Sequence, residues 1–133
     1  METVWVTLTP LSDYASTQPD DAGGLMVNVC MVFVTAPNQD AAVMMARAVV
    51  DEGYAACGNL IPRVRSIYRW EGDVHDEEET LVVFKTTNDA VDGLRDRVVE
   101  LHSYECPEVL IVNTDGGHEP YLSWVAGSVS KKS

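Results

Sequence analysis

The chain has 133 residues, 46% of them apolar, with 21 acidic side chains against 9 Lys and Arg, a formal net charge of −12. A length below about 150 residues argues for one domain, and the acidic balance disfavours nucleic acid and anionic membrane surfaces, both of which are held through Lys and Arg. No apolar run approaches the ~20 residues needed to cross a bilayer, and Cys30, Cys57 and Cys106 are odd in number and widely spaced, so a reducing cytoplasm is expected rather than a disulfide framework.

Residues 1–24 contain no Lys or Arg, four acids (Glu2, Asp13, Asp20, Asp21) and two prolines, and they end in Gly23-Gly24. That composition predicts a flexible acidic extension, with Val4, Trp5, Val6 and Leu8 as a short apolar patch able to dock on a surface. It has neither the basic start nor the apolar core of a secretory leader.

From residue 25 the pattern becomes regular, and a domain is expected over 25–127 with a tail over 128–133. Residues 25–34 (LMVNVCMVFV) read as a buried central strand. Pro37 and Asn38 open a helix with Asp40 in its first turn. Its apolar stripe is Ala42, Met45, Ala46 and Val49, and Gly53 ends it. Residues 54–70 form a long extended segment in which Pro62, lacking an N–H, predicts a bulge or an edge position. Glu71-Gly72-Asp73 is the turn of a long hairpin. The acidic run 76–79 then leads into a strand at 80–86.

Asn88 or Asp89 is expected to cap a second helix, whose apolar face is Val91, Leu94, Val98 and Leu101. After the break at Tyr104–Pro107 come a strand over 108–113, a turn at Gly116-Gly117 and a short helix over 119–125 carrying Tyr121, Leu122 and Trp124. The order predicts an α+β, ferredoxin-like βαββαβ sandwich with a C-terminal helix. Right-handed crossovers place the first two helices on one face of the sheet. The other face keeps its apolar side chains, which argues for oligomerisation.

The stretch from His102 to Glu108 holds an imidazole, a thiol and two carboxylates within seven residues. Imidazole and thiolate suit copper and zinc, and carboxylates accept many divalent ions. The run Asp76-Glu77-Glu78-Glu79 lacks a preformed oxygen cage and reads as solvated acids along a strand. Arg63, Arg65 and Arg69 alternate along one strand and share a face. With so acidic a chain, ion pairs to the neighbouring strand are expected of them rather than phosphate contacts. No Ser-His-Asp or paired-carboxylate set can be assembled, so no enzyme is predicted.

The segments VFVTAPNQDAA, AACGNLIPRVRSIYRWEG, LVVFKTT, HSYECPEVLIV and YLSW together resemble the CutA family of divalent ion tolerance proteins across roughly residues 27–125. The resemblance implies a tight homotrimer in which the hairpin bearing Ile67–Gly72 extends a neighbour's sheet, in an overall shape similar to the PII signalling proteins. It implies involvement in divalent-cation tolerance, with copper as an associated metal and no assigned enzyme activity. Carried over by position, the implied metal ligands are His102 and Glu108, while a cysteine that some relatives place before the Thr-Ala-Pro motif is Val34 here. Cys30 lies on the same strand face as Val34, about 13 Å away, too far to replace it. Lys85, Tyr104, Trp70, Tyr121 and Trp124 match positions that sit around clefts between subunits. A Lys with aromatic neighbours there suits a small anionic ligand, in the manner of a PII-like signalling module; an uncharacterised enzyme is the remaining alternative.

Overall fold

The computed structural model describes residues 28–131. The predicted 1–24 extension, its apolar patch and the first residues of the expected opening strand lie outside the described residues. Within them the chain runs β1 (Val29–Ala36), α1 (Gln39–Asp51), β2 (Cys57–Trp70), β3 (Asp73–Thr87), α2 (Val91–Leu101), β4 (Val109–Asn113) and α3 (Glu119–Ser128). The strands form one antiparallel sheet in the order β2-β3-β1-β4. This is the ferredoxin-like βαββαβ arrangement with a C-terminal helix.

Local chemistry sets the ends of α1. The Asn38 side chain accepts from the Ala41 N–H at 2.8 Å and satisfies one of the helix's orphan donors. At the other end Gly53 sits at φ 85°, a left-handed conformation that suits glycine. From there the Gly53 N–H reaches the Val50 carbonyl and the Tyr54 N–H reaches that of Val49, a Schellman closure. The Gly53 carbonyl also receives the backbone N–H groups of Ser130 and Lys131, each at 3.0 Å, so the end of the described chain is tied to the end of α1. The expected stripe Ala42, Met45, Ala46 and Val49 is the buried face.

The second helix departs from expectation at its start. Its N-cap position is Ala90, which has no side chain able to cap. The Asn88 side chain accepts from the Asn28 N–H, and Asp89 accepts from the Thr87 hydroxyl. The first of these contacts ties the end of β3 to the start of β1, and the helix begins one residue later than a cap at Asp89 would place it and two later than a cap at Asn88. Its face Val91, Leu94 and Val98 is buried as expected.

The core lies between these two helices and one face of the sheet, where Val32, Val34, Val82 and Phe84 meet Met45, Val49, Leu94 and Val98. A Cβ at Gly58 would stand 3.0 Å from the Phe84 ring, so this strand glycine makes room for the largest core side chain. The C-terminal helix α3 runs three residues further than the sequence suggests and packs Leu122 and Val125 in a separate cluster with Val29, Ala56 and Ala90.

The long hairpin carries two irregularities. Between the pairs Ile61–Leu81 and Val64–Glu79, Pro62 and Arg63 stand opposite Thr80 alone, the expected bulge. Arg63 is left-handed there (φ 62°), which interrupts the alternation that would align it with Arg65 and Arg69. At the tip, Glu71 and Gly72 both have positive φ between the paired Trp70 and Asp73, a two-residue turn whose twist matches the strands.

The opposite sheet face is not covered by α1 or α2. The ladder places Val83, Phe33 and Leu110 in one row across it, and Lys85, Met31 and Val112 in the next. At its margins Leu110 is 58% exposed, Ile61 47% and Val112 40%.

Candidate functional site

Beyond the bulge, β2 and β3 continue as a two-stranded arm. Its ladder pairs Val64 with Glu79, Ser66 with Glu77, Tyr68 with His75 and Trp70 with Asp73. Paired residues share a face, and these lie two residues apart, so they line the side of the arm continuous with the uncovered sheet face. Residues 103–107, leaving α2, run beside that side. The two segments enclose an open cleft of about 620 Å³, walled by Tyr68, Trp70, Glu79, Tyr104, Cys106 and Glu108 among others.

His102 lies behind this wall rather than in it. It is the C-cap of α2 and is buried. Its Nε2 is 2.7 Å from the Thr35 carbonyl oxygen, which can only accept, so the proton is on Nε2. Its Nδ1 accepts from the Tyr104 N–H at 3.1 Å. Both ring nitrogens of the neutral imidazole are therefore engaged, and the ring also packs on that of Tyr104, with centroids 4.6 Å apart. The effect is to pin Tyr104 in place. Tyr104 in turn donates its hydroxyl to Glu79 Oε2 at 2.8 Å. Burial, then that hydrogen bond to a carboxylate, pushes the phenol well above its ordinary range.

Glu108 lines the cleft, where burial and the neighbouring Glu79 charge raise its carboxyl above the usual range. Val34 is buried on the helix-facing side of β1. Cys30 is buried on that same side, with its thiol 3.2 Å from Asn113 Oδ1 and raised by desolvation. Cys106 is exposed at the cleft wall. Among the described residues no group of three or more His, Cys, Asp or Glu converges to hold a metal ion. A transition metal at His102 and Glu108 would require the imidazole to give up one of its two hydrogen bonds.

The five residues expected around clefts between subunits divide into two groups within a chain. Trp70 and Tyr104 line the cleft. Lys85 is six residues along β3 from Glu79, about 20 Å at strand rise, and its ammonium donates to Asn59 Oδ1. Tyr121 and Trp124 are at that distant end too. Their rings are 5.7 Å apart, and the Tyr121 hydroxyl is 3.9 Å from the Cys57 thiol, opposite Lys85 in the ladder. Lys85 thus supplies no charge to the cleft of its own chain. What the sequence reading missed is Glu79, placed among solvated acids but buried at the cleft, and Tyr68, whose hydroxyl donates to Glu77. Strand alternation was the available signal, since it separates Glu77 and Glu79 from Asp76 and Glu78. On the other side of the arm, Arg65 pairs with Asp76 through two short contacts of 2.8 and 2.6 Å, the expected ion pair.

Comparison with known proteins agrees with this architecture. The sequence model for the CutA1 divalent ion tolerance protein matches residues 30–128. Protein CutA of Homo sapiens is 42% identical over 125 residues, covering 90% of this chain and 70% of that protein. The divalent-cation tolerance protein CutA of Thermus thermophilus is 40% identical over 95 residues, covering 71% of this chain and 92% of that protein. Among solved structures, CutA1 from Oryza sativa superposes with a TM-score of 0.76 at 35% identity, covering 79% of this chain and 96% of that one. The Thermus thermophilus protein superposes at 0.74 and 37% identity, covering 77% and 99%.

Proposed function

The chain belongs to the CutA1 divalent ion tolerance family, and from that premise we propose that it works as a homotrimeric, non-enzymatic divalent-cation tolerance protein with its binding cleft at a subunit boundary. One observation carries the reading: the apolar sheet face that α1 and α2 leave open and α3 covers only at its Val29 end, with a strand edge on either side that is unpaired among the described residues. The edges are β2, 14 residues long, and β4, 5 residues long. A copy that sets its β2 edge against the β4 edge of the next makes a head-to-tail contact. Repeated about a threefold axis, that contact closes a ring with no free edge. The same contact brings the arm of one copy, with Ile67 and Trp70, toward its neighbour. Native mass spectrometry at micromolar concentration is expected to give the trimer mass, and a stable monomer would overturn the reading.

Copper held by His102 and Glu108 is the metal form of this proposal, and the two engaged nitrogens of His102 make it the less favoured form. Calorimetry with Cu(II) on wild type and His102→Ala separates the cases: loss of a tight site in the variant supports a metal there, and equal weak binding removes it. A PII-like use of the protein, with a small anionic ligand, would need Lys85, Tyr121 and Trp124 from a neighbouring copy to complete the cleft. The names of the relatives describe tolerance rather than a reaction, which supports the non-enzymatic reading. None of the described helices is long and apolar enough to cross a membrane, and the three free cysteines fit a reducing cytoplasm.

A further inference from the structure

We infer that the cleft between the arm and residues 103–107 binds an organic cation, an alkylammonium or guanidinium group, with Glu79 as its charge partner and the rings of Trp70, Tyr68 and Tyr104 as its walls. The inference rests on the reading of this cleft as a ligand site and adds the class of ligand.

Glu79 is only 8% exposed. One of its oxygens, Oε2, accepts from Tyr104. Oε1 has no hydrogen-bond partner among the described residues, yet no fully buried side-chain oxygen is left without one. Oε1 therefore keeps some exposed surface, and the cleft is the space that Glu79 lines. A carboxylate so far removed from water and half unsatisfied favours a cationic partner that also donates hydrogen bonds. No Lys, Arg or His lines the cleft among the described residues, whereas Glu105 and Glu108 do. The walls contributed by one copy would repel an anion.

Shape and ring chemistry separate an organic cation from a metal ion. A cleft of about 620 Å³ is sized for a molecule. Hard metal ions want six or more oxygen ligands, and the imidazole that a softer metal would use is occupied. Aromatic faces attract ammonium and guanidinium groups through their quadrupoles. Two of the three rings are phenols that donate their protons to carboxylates, Tyr68 to Glu77 and Tyr104 to Glu79, which enriches the ring faces in electron density.

The test is calorimetry on the full chain with L-arginine amide, against glutarate and Mg²⁺ as anionic and inorganic comparators. The expected result is saturable binding of arginine amide, one site per chain. Glu79→Gln, which can still accept from Tyr104, should weaken it about tenfold or more, and Trp70→Ala about three- to fivefold. Glu78→Gln removes the same charge from the exposed opposite side of the arm and should leave binding unchanged. Equal losses in the Glu79 and Glu78 variants would reduce the effect to the net charge of −12 and overturn the proposal. Glutarate binding that depends on Trp70 would keep the cleft as a ligand site and overturn its cationic assignment. Trp70-independent behaviour of every probe would overturn both. A Gly-Arg-Gly peptide is the second cationic arm: tighter binding than arginine amide assigns the group to a basic polypeptide segment, and weaker binding assigns it to a free small molecule.

Discussion

The helix-backed half of the sheet and the bare arm are made from the same two strands, β2 and β3, yet they solve different problems. In the first half, Val82 and Phe84 have no exposure, Gly58 yields its side-chain space to the Phe84 ring, and α1 and α2 seal the layer. Past the bulge at Pro62 and Arg63 the ladder continues, but Ile67 is 66% exposed and Val74 63%. The difference teaches that the first half is closed by the chain's own helices, whereas the arm leaves large apolar side chains exposed, the surface that the proposed trimer would cover. The cleft sits at the seam, with one wall from the arm and the other from the residues that His102 fixes to the scaffold.

The largest effect that would break the comparison is in the core. Phe84→Ala is expected to cost about 3–5 kcal/mol, read as a large loss of chemical stability. Ile67→Ala on the arm should leave the stability of a single chain within about 0.5 kcal/mol and act only on assembly. Comparable losses from both would show that the two regions are not distinct. Next comes Leu110→Asp on the uncovered face. Burying that carboxylate at a subunit contact is prohibitive, so the variant should run as a folded monomer in sedimentation; an unchanged assembly would place the contact elsewhere.

The smaller effects are pH-linked. Arg97 holds Glu52 by a two-pronged contact of 2.7 and 3.0 Å that ties α2 to the end of α1. This keeps the Glu52 carboxyl below its usual range. A lowered carboxylate favours the folded state above the ordinary value near about 4.3, and that contribution is lost as pH falls through the folded value. Glu52→Gln should therefore be less stable than wild type at pH 7, with the gap closing in acid. Glu108 has the opposite sign. Its carboxyl is raised in the fold, so its ionisation works against the folded state as pH rises through the raised value. Glu108→Gln should equal or exceed wild type at pH 7 and lose that advantage below the ordinary carboxylate range. Denaturant midpoints across pH read both, and parallel curves would remove the assignments.

Much of the scaffold is legible in the sequence because periodicity encodes it. The stripe Ala42, Met45, Ala46, Val49 has a helical spacing that only one face satisfies, and Asn38 and Gly53 mark its ends by chemistry local to them. The start of α2 is less legible, because Asn88 and Asp89 look like caps while the N-cap position falls on Ala90, with Asn88 bonded to the Asn28 N–H and Asp89 to the Thr87 hydroxyl. The cleft is half legible. Tyr104, Trp70 and Glu108 stand out by motif, but the distance between Lys85 and the cleft emerges only when residues are counted along a strand. Glu79 is hidden among four consecutive acids until register fixes which face each takes. The bonding of His102 could not be read at all, since its acceptor is a backbone carbonyl 67 residues away.

The central claim is that copies of the chain close one another's sheet edges. Hydrogen–deuterium exchange resolved to the outward-facing amides of β2 and β4 tests it most directly. The account predicts protection there approaching that of β1 inside the sheet, falling on dilution to monomer. Exchange at those amides as fast as in an unpaired strand, at concentrations where the protein is abundant, would contradict it.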